Sequence, residues 1–184
     1  MKIGLIGEAP HDTNCIAVLL GQKYPGIEFF PLIDRIRGSQ LDCRQPTKQL
    51  LRIEYQFRKP DLVIFIRDLD GLKDEIEKIN LRKEYFTEYR RVVDGKAIML
   101  LNIYELEALI LADVEKFGLL FDCATSSYPD PSAVVDPKGE LKKLSHKYSE
   151  GQNLEVFKVL DINIVSANCL YFKEFLDKLK PLIA

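Results

Sequence analysis

The run Leu62-Val63-Ile64-Phe65-Ile66 constrains this chain more than any other feature. Its residues are apolar and β-prone, with no polar alternate, which describes a strand covered on both faces. A sheet with one wet face alternates, so the run predicts a central strand of a parallel sheet sandwiched between helices. Comparable runs at 2–6, 27–33 and 97–103 are separated by longer segments with helical spacing. That rhythm is the signature of βαβ units.

The expected architecture is therefore α/β and Rossmann-like, with a mostly parallel central sheet of about four strands flanked by helices and a helical C-terminal tail. At 184 residues and 47% hydrophobic, the chain suits one domain, with a core over about 1–115 and a loop and helical extension over about 116–184. A helix from about 47 to 58, opening after Pro46, carries Leu50, Leu51, Ile53 and Phe57 toward the core. Another runs from Ile103 to about Glu115, and the Pro-, Ser- and Asp-rich stretch 118–139 reads as a long loop of the kind that forms lids. The tail predicts a helical piece near 141–148, a short segment at 161–165 and a closing helix over 167–179, with Ser166 as its cap.

Several function classes are excluded by composition. The start, Met1-Lys2-Ile3-Gly4-Leu5-Ile6-Gly7-Glu8, meets an acid too soon for a signal peptide or a membrane span, so a cytoplasmic protein without membrane contact is expected. Cys15, Cys43, Cys123 and Cys169 form no CxxC pair, and His11 and His146 are the sole imidazoles, so any metal is expected to be a hard ion held by oxygen. Gly4-Leu5-Ile6-Gly7 lacks the third glycine of a dinucleotide fingerprint, and no P-loop occurs. A net charge of −2 hides a basic stretch between Arg35 and Arg67, where eight Lys and Arg face three acids. Arg35, Arg37, Arg44 and Arg67 are its candidate contacts to a nucleic-acid backbone, although a solvated helix face explains such a run equally simply.

In open α/β sheets ligands bind beyond the carboxyl ends of the strands, and here the residues in those positions are acids. Glu8 follows the first strand, Asp68 and Asp70 the third, and Glu105 and Glu107 the fourth. Carboxylates gathered at one sheet edge repel each other unless a cation joins them, which points to Mg²⁺ or Mn²⁺. Asp68-Leu69-Asp70-Gly71 is the sharpest candidate: two carboxylates on one side of an extended backbone, then a glycine where the chain turns. The plainer alternative makes Asp68 an Asx-turn residue and Asp70 the cap of a helix starting near Leu72. Glu8 is a candidate general acid or base, beside His11 and Asp12, with Asp12 also the expected cap of a helix starting near Thr13. Asn102 followed by Glu105 has the spacing of a capping box, whereas Glu107 has no such structural explanation.

The order of these motifs resembles the Toprim domain of topoisomerases, primases and nucleases of the overcoming-lysogenization-defect type. The segment Asn102-Ile103-Tyr104-Glu105-Leu106-Glu107-Ala108-Leu109-Ile110-Leu111-Ala112-Asp113 is similar to the Glu-x-Glu-Ala signature of small Toprim-like proteins, with Leu109 in place of their usual tryptophan and Ala9 in place of the glycine after the Toprim glutamate. The likeness covers about the first 115 residues. It implies Glu8 as general acid or base, Asp68 and Asp70 as Mg²⁺ ligands, and phosphodiester chemistry on nucleic acid. It also implies phage or mobile-element defence as the setting, with a partner protein or a homodimer. Two alternatives remain open: a non-catalytic nucleotide-binding or interaction module, and a phosphatase similar to haloacid dehalogenases with Asp68 as nucleophile.

Overall fold

Four strands, β1 (Lys2–Ile6), β2 (Glu28–Pro31), β3 (Leu62–Asp68) and β4 (Ala97–Asn102), form one all-parallel sheet in the order β2-β1-β3-β4. This computed structural model describes residues 1–8, 10–42 and 44–184, and the backbone alone for residues 38, 42 and 44. Expectations attached to Ala9, Cys43 and the Arg44 side chain lie outside the described residues.

The unbroken apolar run of β3 is buried throughout, from Leu62 to Ile66, and β3 is central as its sequence requires. Its side chains alternate between two cores. Leu62, Ile64 and Ile66 meet Cys15, Ile16, Leu19 and Leu20 of helix α1 (His11–Lys23), within a cluster that extends to Leu141, Phe157, Phe172 and Phe175 of the C-terminal region. Val63 and Phe65 meet the opposite layer, Leu51 of α3 (Arg44–Arg58) and Tyr85 and Tyr89 of α4 (Ile76–Arg90); the short α2 (Gly38–Asp42) precedes α3. Phe65 is held edge-on by Tyr85, Phe86 and Tyr89, with ring centroids 6.4, 5.8 and 6.0 Å away.

The chain leaves β1 toward β2 with α1 on one face, then returns to β3 and on to β4 with α3 and α4 on the other. Crossovers of one handedness change faces when the chain reverses direction across the sheet. The reversal lies between β1 and β3, so the crevice beyond their carboxyl ends is the topological switch point.

Several local expectations are corrected. The second-layer helix opens at Arg44, with Pro46 in its first turn where a missing N–H costs nothing. Of the residues expected in the core, Leu51 alone is fully buried; Leu50 is 39%, Ile53 62% and Phe57 82% exposed, because they occupy the face of α3 opposite Leu51. The helix expected near Leu72 starts at Ile76, since the Glu75 carboxylate accepts from the Leu72 N–H at 2.8 Å and pins the preceding turn. The helix after β4 is two pieces, α5 (Ala108–Ala112) and α6 (Val114–Phe121), broken at Asp113, whose carboxylate instead accepts from the Asp161 N–H. The tail folds as α7 (Pro137–Leu144), α8 (Asn153–Val159), α9 (Ile162–Asn168) and α10 (Leu170–Leu179). α10 follows Cys169, so Ser166 sits inside α9 and donates to the Asn163 carbonyl rather than capping. Among the described residues no helix is long and apolar enough to cross a membrane.

Candidate active site

A cavity of about 210 Å³ opens at the switch point and is lined by Glu8, Asp12, Asp68 and Asp70 together with Arg67, Arg82 and Ser39. Acids separated by sixty residues in sequence meet there because β1 and β3 are hydrogen-bonded neighbours. Gly7 makes the approach close: a Cβ on it would stand 3.1 Å from Ile66 Cβ and 3.3 Å from the Ile66 carbonyl. The next residue, Glu8, is exposed at the cavity, and its carbonyl accepts from the Asp12 and Thr13 N–H groups as α1 begins. The helix therefore starts at His11, with Pro10 rather than Asp12 in the capping position, and Asp12 projects from the first turn toward the other acids.

Alternation along β3 sends Arg67 and Asp68 to opposite faces. Arg67 is 6% exposed and lies over the Tyr85 ring at 5.0 Å from its centroid, while Asp68 faces the α1 side. The Asp68 carboxylate accepts from Asn102 Nδ2 at 2.9 Å across the β3–β4 register, so neither an Asx-turn at Asp68 nor a capping box at Asn102 forms. Asp70 caps no helix either. It takes a left-handed φ of 55°, its carboxylate accepts from Arg82 Nη2 at 2.8 Å, and Arg82 Nε donates to the Asp68 carbonyl at 2.9 Å. The extended geometry expected to align Asp68 and Asp70 thus ends at Asp68, and Arg82 gathers the loop instead. Tyr104 faces this loop with a φ of 60°, accepting from the Asp70 N–H and donating to the Gly71 carbonyl through its backbone.

Glu105 and Glu107 do not line the cavity, but both act on Asp68 electrostatically. Glu107 is 5% exposed and accepts from Asn153 Nδ2 at 3.0 Å; Asn153 in turn accepts from the Tyr148 hydroxyl at 2.6 Å. Glu105 lies 3.7 Å from Lys138 Nζ, and its second oxygen is buried without a hydrogen-bond partner. Lys138 also reaches Glu150 at 3.4 Å. Its burial works against its charge, but Glu107, Glu105 and Glu150 hold the ammonium above its ordinary range.

The sequence gives no sign of Lys138, Asn153 or Arg82 as members of this cluster. The Asp136-Pro137 helix start, with the Asp136 carboxylate accepting from the Gly139 N–H, is the local signal that fixes where Lys138 sits. His11 is exposed at the start of α1 and is absent from the cavity wall. Arg35 and Arg37 are exposed beyond β2 and do not line the cavity, whereas Lys48 and Arg58 of the basic stretch are spent on Glu88, Asp34 and Glu54.

Burial, and after it the crowding of like charges, is visible in protonation. Burial pushes Asp12 up to about 8, with Asp68, Glu8 and Glu107 adding to it. Burial likewise pushes Asp68 up to about 7; the Asn102 hydrogen bond opposes this, and Glu107, Asp70 and Glu105 reinforce it. Glu105 is raised too, first by burial. These are hard oxygen donors short of positive charge, which is the donor chemistry that Mg²⁺ and Mn²⁺ fit. Asp68, Asp12 and Glu8 bring donors of that kind to one cavity, whereas Asp70 is engaged by Arg82; among the described residues no group of three or more His, Cys, Asp or Glu side chains is drawn together tightly enough to hold an ion. In comparison with known proteins, no family model, no curated protein and no solved structure matches this chain.

Proposed function

We propose that this protein is a Toprim-like, Mg²⁺- or Mn²⁺-dependent phosphoryl-transfer enzyme, a nuclease acting on phosphodiester bonds. The observation that carries the reading is the meeting, in one small cavity, of two arginines with acids that burial first, and their acidic neighbours second, push toward the protonated form. Acids alone suit a cation and arginines alone suit an anion; a site with both suits a metal-bound phosphate.

In this reading Asp68, with Glu8 and Asp12 beside it, would hold the ion, which would supply Lewis-acid polarisation of a phosphate oxygen and activation of water. Arg67, fixed by the Tyr85 ring, and Arg82, fixed by Asp70, orient the phosphate and offset its charge. Glu8, the exposed carboxylate at the cavity, takes the proton of the attacking water or returns one to the leaving oxygen. Glu107 and Lys138 position the cluster from behind: Asn153 clamps the first, and the second limits the negative charge that Asp12 feels. Arg35 and Arg37 extend positive charge from the cavity toward the flanking nucleic-acid backbone. A setting in phage or mobile-element defence, with a partner protein, belongs to the same proposal and rests on the motif resemblance.

The test mixes DNA and RNA with the protein in Mg²⁺ or Mn²⁺, alongside the Asp68→Asn and Glu8→Gln variants. Cleavage lost in both variants supports the assignment, and cleavage that survives both rejects it. A second reading, a phosphate- or nucleotide-binding module without catalysis, is favoured by the Asp70–Arg82 pair, which ties up one expected metal ligand. Nucleotide binding with no turnover of any diester in either metal would select it. Phosphate release from a small monoester, with a diester left intact, would select the phosphatase instead.

A further inference from the structure

The two edges of the sheet differ. At the β2 edge Pro31 has no N–H to offer, and its carbonyl accepts from Arg58 Nη1 at 2.6 Å, with that guanidinium 5.4 Å from the centre of the Phe30 ring. Proline and a covering side chain are means by which proteins keep an exposed strand from pairing. The β4 edge has neither. The Lys96 and Asn102 carbonyls accept from the Val63 and Leu69 N–H groups, so the even-numbered residues bond to β3 and the backbone of Ala97, Met99 and Leu101 is turned outward. The Ala97 N–H is met locally by the Gly95 carbonyl at 2.9 Å. Among the described residues, no donor or acceptor meets the N–H or carbonyl groups of Met99 and Leu101.

Beside the amino end of this edge lies a groove of about 590 Å³, between α4 and the C-terminal end of the chain. Phe86, Met99 and Leu182 give it apolar walls, and Leu182 is 48% exposed there. Arg90, Lys96 and Lys178 also line it, all exposed and none in an ion pair among the described residues; Arg90 gives one N–H to the Gly95 carbonyl. Its one acid, Asp61, is engaged, because the carboxylate accepts from the Lys2 backbone N–H at 2.7 Å. Asp94 and Asp177, the acids nearest to these cations in sequence, do not line the groove.

Edge and groove together define an occupant. Outward backbone donors and acceptors at strand spacing are satisfied in concert by another extended backbone, and the six residues of β4 span about 20 Å. Three cations against one engaged acid select a segment that carries negative charge. A second copy pairing through its own β4 presents a strand without an acid, so it matches the edge and not the charge. We propose that the outer edge of β4 docks an extended, acidic segment of a partner protein, which joins the sheet as a fifth strand with its acids over Arg90, Lys96 and Lys178. The groove lies at the amino ends of β3 and β4, opposite the switch-point cavity, so the proposal does not rest on the chemistry assigned there.

The probe is a fluorescein-labelled octapeptide of alternating Val and Thr with an acidic pair at each end, so that either strand direction brings acids to the groove. Fluorescence polarisation is expected to show saturable binding below about 1 mM, the weak range suited to a short strand. Exchanging the peptide acids for Gln, or combining Lys96→Glu with Lys178→Glu in the protein, is expected to weaken it at least about tenfold. Met99→Pro removes an outward N–H and no ladder bond, so it is expected to keep a cooperative thermal transition while binding falls by at least about tenfold. Slower hydrogen exchange at the Met99 and Leu101 amides on peptide addition is the signature of strand addition as opposed to charge attraction alone, and it decides the matter even if Met99→Pro fails to fold. Absence of saturation, binding that survives the charge reversal, or exchange unchanged by bound peptide overturns the proposal. A wild-type dimer that Met99→Pro dissociates overturns it too, because the edge would then belong to a second copy.

Discussion

Replacing Asp68 by Asn is expected to stabilise the metal-free protein at pH 8 while abolishing the proposed diester cleavage. The folded-state carboxyl ionises near 7, against an ordinary value of 3.8, so its charge at pH 8 costs the fold about 4 kcal/mol at about 1.36 kcal/mol per pH unit. Asn keeps an oxygen for Asn102 Nδ2, but the neutral acceptor makes the weaker bond, which returns about 1 kcal/mol. Residual solvent screening takes a share as well. The expected net gain is about 2 kcal/mol, or roughly 4–8 °C for a chain of this size. The sign follows from proton binding. Between 3.8 and about 7 the folded wild type holds a proton that the unfolded chain has lost, so the contribution of this group is full below the lower value and is lost as pH rises through the upper one. The gain in Asp68→Asn should therefore be absent at pH 4, grow through neutrality and level off by pH 8. Thermal unfolding followed by circular dichroism in chelator, across that range, measures it. A variant equally destabilised at pH 4 and pH 8 refutes the argument, because it would mean that the Asp68 charge is fully compensated in the fold.

Four further outcomes are expected. Wild-type stability in chelator should decline as pH rises from 4 toward 8, with Asp12 and Asp68 both contributing, and millimolar Mg²⁺ should flatten that decline; a slope indifferent to Mg²⁺ argues against a cation at the acids. At pH 8, Mg²⁺ at a hundred times its dissociation constant should add about 2.7 kcal/mol of stability to the wild type and far less to Asp68→Asn, as read by melting temperature. Phe65→Ala should cost about 3–5 kcal/mol in urea unfolding, because three aromatic rings lose their shared contact. Gly7→Ala should depress turnover more than stability, since its methyl meets Ile66 and pushes the Glu8 loop off β3; unaltered activity would show that this close approach is dispensable.

The sheet was legible because its signal is local and redundant. A doubly covered strand needs apolar residues at every position, so each run announces itself within five residues, and the four strands stand within a few residues of where their patterns end. The acids were legible for a related reason: strand ends are fixed by the same pattern, and parallel strands deliver all their carboxyl ends to one edge. Partnership was not legible. Lys138, Asn153 and Arg82 reach the acids from segments whose sequences carry no mark of it, and the capping spacing of Asn102 and Glu105 was overridden by an Asp68 that only the β3–β4 register brings alongside.

Sequence by itself thus determined the α/β class, the strand positions and the edge at which acids collect, because hydrophobic periodicity is a property of neighbouring residues. Tertiary structure decided which face of α3 is inside, which arginines serve the cavity and which serve the fold, and which carboxyls burial pushes up toward neutrality. Those outcomes depend on distances and burial between residues far apart along the chain, and electrostatic energies follow distance in space.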